Sequence, residues 1–347
     1  MSQRMNVANR GWLAIAVGGM LAFAAACGSS PSQSTSQKSS EVQTVRVVDV
    51  PGAYVSMPVY VADAMGFFSK RGIKVTYIKA GTGSTIAQVL EAGAADIAGS
   101  DPSAIANVRA AGGDVVYVVG MFKFFPAEIA CQPTITVSAP SYPQSMETLV
   151  GKTIGITSPG SATDTYTRYS LIAAGIEPSK VKIVPIGGLP QLVAAFQAKR
   201  VDCVVAYQPM QSLLANRTTI LNWQAGQGPA ALKVVLQAGE ITTSKFASTH
   251  ADAVQRFALA IKDAEQLASD PNNASKIAPS TAHFFTGVDQ PALTQMIKGI
   301  SGTYTYQITP AMVANAATVY SAINGKGYPA YADLIAAPVK DIVSQRP

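Results

Sequence analysis

The chain has 347 residues, enough for two medium domains with cores of their own. With 48% hydrophobic and only 13% charged residues, its composition argues against a disordered protein. The net charge of +6 comes from singly scattered Lys and Arg, with no basic stripe interleaved with aromatics, which argues against a nucleic-acid partner.

Arg4 and Arg10 form a positive n-region, and residues 11–26 form an apolar run without a charge. That run is short for a membrane span, which needs about twenty residues, and it ends in small residues, "AFAAAC", at Cys27. This ending resembles the lipobox of bacterial lipoproteins, whose cysteine becomes the lipidated first residue. The expectation is therefore a signal peptide over 1–26, a lipid on Cys27, and an extracytoplasmic protein tethered to a membrane face. A flexible tether then spans 27–42, being almost wholly Ser, Gln, Gly and Pro.

From Val45 short apolar runs alternate with helix-period segments, the pattern of an α/β sheet with mostly parallel strands. Strands are expected at 44–50, 73–80, 95–100 and 115–122, with helices at 58–72, 84–93 and 102–113 between them. After the Pro- and Ser-rich stretch 138–151 the pattern restarts, with strands at 152–158, 181–187 and 201–207 and helices at 161–175 and 189–199. Gly83 to Pro102 and Gly188 to Pro209 run in parallel: glycine, helix, an Asp-led strand, a polar pair, proline. Two paired lobes follow from that echo. A strand-like stretch at 233–239 then leads into an amphipathic helix over 250–270 and a helical tail that returns to the first lobe. Cys203 falls inside a buried-looking strand and Cys131 in an apparent connection far away in sequence. Two unpaired thiols are thus expected rather than a bridge, and neither has metal-ligand spacing.

The segments "SMPVYVADAMGFFSKRGIKV" (56–75), "GTGSTIAQVLEAGAADIAGSDPSA" (81–104), "LVGKTIGITSPGSATDTYTRYSLIAAGIEP" (149–178) and "GGLPQLVAAFQAKRVDCVVAYQP" (187–209) carry a family resemblance in their order and spacing. Together they resemble the solute-binding lipoproteins of ABC importers, in the branch for nitrate, sulfonates, taurine and thiamine-type pyrimidines. The resemblance implies the type 2 periplasmic binding protein fold: two doubly wound, mostly parallel lobes joined by two crossing strands, with ligand in the cleft. It places lobe one at 43–138 and 235–347, lobe two at 139–234, and the crossings near Ile135–Ala139 and Lys233–Gly239. Its implied partners are a small solute, an ABC permease with its ATPase, and a membrane reached through the lipid; a monomer without cofactor or metal is expected.

In parallel α/β sheets ligands sit beyond the carboxyl ends of the strands, where helix N-termini also point. Small polar residues gather at those ends. The candidates are Tyr54 and Ser56 after the first strand, Thr82, Gly83 and Ser84 after the second, and Ser100, Asp101 and Ser103 after the third. In the second lobe they are Ser158, Ser161, Thr163, Asp164 and Tyr207. Ser, Thr and Asp are also preferred N-caps, so each has a purely structural alternative, and the case for a site rests on the set. Phe122, Phe124 and Phe125 either line the cleft or pack under a loop. Lys123 is the best-placed cation for an anionic ligand, and Glu240 is a candidate for a ligand amine, as acids are in some relatives.

The only histidines, His250 and His283, lie in the helical tail, and no phosphate-loop motif or metal cluster is visible, so a catalytic role is not expected. A thiamine-pyrimidine enzyme on the same fold would carry a cysteine-rich iron motif that this chain lacks. A ligand sensor signalling to a membrane receptor remains the alternative to import. For the solute, the loops suit a sulfonate, a carboxylate, nitrate or a neutral pyrimidine.

Overall fold

A computed structural model describes residues 41–79, 83–214 and 216–344. Two five-stranded mixed sheets form its core, each flanked by helices. The first joins β1 (Gln43–Asp49), β2 (Ile73–Lys79), β3 (Ile97–Ser100), β4 (Val115–Phe122) and β10 (Ala238–Thr243) in the order β2-β1-β3-β10-β4. The second joins β5 (Ala127–Cys131), β6 (Thr153–Ile156), β7 (Lys182–Pro185), β8 (Cys203–Tyr207) and β9 (Thr218–Asn222) in the order β7-β6-β8-β5-β9. The two orders superimpose. In each, four strands run parallel, and the single antiparallel strand, in fourth position, is the one entered on crossing from the other sheet.

The local reasons are plain in the residues. β4 reads VVYVVGMF and is buried at every position, as a strand covered on both faces should be. Three helices follow β1, β2 and β3: α1 (Met57–Ala64), α2 (Gly83–Glu91) and α3 (Pro102–Ala110). α3 starts where Asp101 accepts hydrogen bonds from the amides of Ser103 and Ala104, with Pro102 supplying a preset φ at its first position. In the second lobe α4 (Ala162–Ala173) follows β6 and α5 (Leu189–Gln197) follows β7.

The chain after β10 returns to the first sheet. The helix Ala251–Ala268 buries Val254, Phe257, Ala258, Ile261, Ala264 and Ala268, the 3/4 spacing of a single apolar stripe, and stacks Phe257 on Phe68 at 5.0 Å. The segment 303–306 covers the open edge of β4: the Gly120 N–H donates to Tyr306 O at 3.1 Å, and Thr305 N–H to Met121 O at 3.1 Å. A Cβ on Gly120 would lie 2.6 Å from Thr305 O, so the close approach of this cover requires glycine. The helix Pro310–Asn324 reaches further and also packs on α4 of the second lobe.

Two expectations are corrected here. The first crossing lies at 123–126 and not near Ile135–Ala139, because "AEIAC" is already strand β5 of the second sheet; flanked by Pro126 and Pro133, it reads in sequence as a connection. Cys131 and Cys203 form a disulfide instead of standing as free thiols. Their separation of 72 residues is closed by the antiparallel β5–β8 pairing, which sets the two cysteines directly opposite each other. The second crossing runs beside the first: Val235 N–H donates to Lys123 O and Gln237 N–H to Phe122 O, both at 2.8 Å. Among the described residues no helix is long and apolar enough to cross a membrane. Cys27 and the tether lie outside the described residues.

Candidate functional site

A cavity of about 100 Å³ opens where the carboxyl ends of both sheets face each other. The first lobe contributes Val50, Ala53, Tyr54 and Val55 after β1, Ile86 of α2, and Gly99, Ser100 and Asp101 at the end of β3. The second contributes Thr157, Ser161, Ala162 and Thr163 between β6 and α4, with Tyr207 ending β8. Phe125 of the first crossing and Gln237 and Ala238 of the second form its floor.

Aromatic rings make one wall. Tyr54 meets Phe122 edge-on at 5.1 Å, Tyr207 of the other lobe at 6.0 Å and Phe125 at 6.5 Å. Its hydroxyl donates to Gln237 Oε1 at 3.2 Å, and its backbone N–H reaches Gln208 O across the lobes at 3.4 Å. Burial pushes the Tyr54 hydroxyl well above its ordinary pKa, so it stays a donor.

Hydroxyls make the opposite wall. Thr157 Oγ1, Ser161 Oγ and Thr163 Oγ1 lie 2.8–2.9 Å from one another, and Ser161 Oγ donates onward to Ser158 O at 2.8 Å. Ser161 occupies the N-cap of α4 without capping it through its side chain. Ser100 is likewise no cap; its Oγ makes a long 3.4 Å bond to Asp101 O. Capping at this end of the first lobe falls to Asp101, whose Oδ1 accepts from Ser103 N at 3.0 Å and Ala104 N at 3.2 Å. Burial pushes the Asp101 carboxyl up to about 6, against the opposing pull of those two amides and of its own backbone N–H.

Of the residues singled out in sequence, Tyr54, Ser100, Asp101, Ser161, Thr163 and Tyr207 are brought together around the cavity. Others are placed elsewhere. Ser56 closes the 50–56 turn, its Oγ accepting from Val50 N at 3.2 Å. Ser103 lies in the first turn of α3, and its amide is spent on Asp101. Ser158 offers its carbonyl to Ser161. Asp164 accepts from Gly160 N at 2.9 Å and pairs with Arg168 at 2.6 Å. Gly83 and Ser84 begin α2, and Thr82 lies outside the described residues.

Neither charged candidate lines this cavity, although Glu240 borders a small adjoining one with Val50, Val55 and Gly99. Lys123 sits in the first crossing and borders a separate cavity of about 430 Å³ with Glu265 and Tyr304. Glu240 is 1% exposed within the first sheet, paired in register with Gly99 and Val119. Lys123 follows β4 between Phe122 and Phe124, and Glu240 lies in β10 just after the second crossing. Gln237, Ile86 and Val50 are lining residues that the search for polar strand ends passed over. Only Gln237 carried a usable signal, an amide in the middle of an apolar crossing strand.

A family model described as NMT1/THI5 like matches residues 54–274. Among solved structures, the periplasmic aliphatic sulphonate binding protein SsuA from Escherichia coli is similar at 15% identity and a TM-score of 0.67, over 85% of this chain and 97% of that one. The periplasmic nitrate-binding protein NrtA from Synechocystis PCC 6803 is similar at 17% identity and a TM-score of 0.66, over 88% of this chain and 86% of that one. The desulfurization enzyme DSZB shares the fold at 12% identity and a TM-score of 0.60, over 86% of this chain and 98% of that one. No curated protein matches the chain at a significant level.

Proposed function

The chain belongs to the NMT1/THI5-like family, and from that premise we propose that it is an extracytoplasmic solute-binding protein, tethered by a lipid on Cys27, that hands a small molecule to an ABC importer. The observation that carries this reading is the cavity at the carboxyl ends of two matching sheets, lined from both lobes and from both crossings. A site shared in this way is completed only when the lobes approach, and two adjacent crossings make a natural hinge. SsuA and NrtA are named as binding proteins for a sulphonate and for nitrate, which supports transport of a small polar solute.

An enzyme shares the fold, so fold alone leaves chemistry open. The described residues lining the cavity include no histidine, cysteine or lysine to act as nucleophile or base in the usual pairings. Binding without turnover is therefore the reading adopted. Mass spectrometry of protein released under native conditions tests it. One small molecule per chain, recovered chemically unchanged after prolonged incubation, is expected; its steady conversion by the protein would replace this reading with an enzymatic one.

A further inference from the structure

The cleft carries a charge, and it is negative. Asp101 is the one formally charged side chain among the described lining residues. Two of the helix N-termini that would welcome an anion already have carboxylates of their own. Asp101 caps α3, and Asp164 sits in the first turn of α4, accepting from Gly160 N. The amides of Ser103 and Ala104 occupy Asp101 Oδ1, while Oδ2 accepts no hydrogen bond among the described residues. The rings of Tyr54, Phe125 and Tyr207 form the remaining enclosure, and the faces of such rings attract cations.

From this juxtaposition we infer that the cleft selects a small organic cation, its charged nitrogen facing the Asp101 carboxylate and its body enclosed by Tyr54, Phe125 and Tyr207. The inference rests on the solute-binding reading and narrows it: a sulfonate or nitrate would meet a carboxylate with no basic partner. The other titratable groups facing Asp101 are the hydroxyls of Tyr54, Tyr117, Tyr166 and Tyr328, which burial keeps protonated. With its own pKa near 6, Asp101 is ionised at neutral pH and offers its charge to the ligand.

The test uses the full chain, first identifying the charge of any co-purifying solute by mass spectrometry. Stripped protein is then titrated with tetramethylammonium, benzylammonium, nitrate and methanesulfonate, followed by thermal shift and calorimetry. A cationic co-purifying solute, or stabilisation by the ammonium probes and not by the anions, is expected. Asp101→Asn should then weaken the cation at least tenfold while the protein stays folded, because asparagine caps helices as well as aspartate does. A co-purifying anion, or binding of nitrate or methanesulfonate without response to either cation, overturns the inference and leaves solute binding standing. Cation binding unchanged in Asp101→Asn overturns it too. Silence from every probe with nothing co-purifying overturns both this inference and the solute-binding reading.

Discussion

Asp101 does two jobs that conflict, and the conflict is measurable. As a cap it holds the start of α3; as a partly buried carboxylate it weakens the ligand-free fold. The folded chain holds this proton more tightly than the unfolded chain. The penalty is therefore complete above pH 6 and fades as pH falls towards 3.8, amounting to no more than about 3 kcal/mol. Asp101→Asn keeps the cap and should raise the melting temperature of ligand-free protein at pH 7.5, with the gain gone near pH 4. Asp101→Ala loses the cap as well, at about 1 kcal/mol. A melting series across pH on both variants separates the two roles. Ser100 and Ser161 differ from Asp101 because neither caps its helix through the side chain. Alanine at either should cost binding about 0.5–1.5 kcal/mol by calorimetry; the melting temperature should change little at Ser100 but fall at Ser161, whose buried bonds to Thr157, Thr163 and Ser158 are lost. These positions were legible because polar residues at strand ends mark ligand sites in parallel sheets. Lys123 and Glu240 were less legible because sequence shows their places after β4 and after the second crossing and not the direction in which each side chain turns.

At the scale of elements, the parallel βα units were readable from alternating apolar runs, Asp-led strands and glycine stops. The antiparallel strand β5 and the edge strand β9 were not. "AEIAC" and "TTILN" are five residues each, too short to show a period and attached to no helix. They become strands because β5 inserts between β8 and β9, a long-range pairing invisible locally. Missing β5 also hid the disulfide, since only its register brings Cys131 opposite Cys203. The bridge ties the antiparallel strand β5 of the second sheet to the central strand β8. Closing a 72-residue separation contributes up to about 4 kcal/mol in the chain-entropy picture. Replacing both cysteines by alanine should lower the denaturant midpoint accordingly, with the first lobe's solute contacts intact. Both sulfurs are wholly buried, so mild reductant should leave the native bridge in place until the chain is unfolded. Thiol labelling with and without denaturant checks this.

For the whole molecule, the resemblance of two half-chains predicted two lobes, and the matching strand orders of the two sheets give that echo its structural form. What sequence left open was how the tail divides its contacts. It covers β4 of the first sheet, yet the helix Pro310–Asn324 also packs on α4, and Gln224 Nε2 donates to Gly299 O at 2.8 Å. Tyr54 N–H to Gln208 O adds a direct bond between lobes beside the cavity. Opening the cleft would have to loosen these contacts while the paired crossings at Lys123 and Val235 bend. Anchoring is a separate property of the leader: Cys27→Ser removes the thiol that lipidation requires and should move the protein from the detergent to the aqueous phase on partitioning. The central claim is that solute completes a cleft between two hinged lobes. Small-angle X-ray scattering on stripped protein, repeated after returning the co-purifying solute at saturation, tests it most directly. A smaller radius of gyration with solute bound is the predicted result; superimposable curves at saturation would contradict closure.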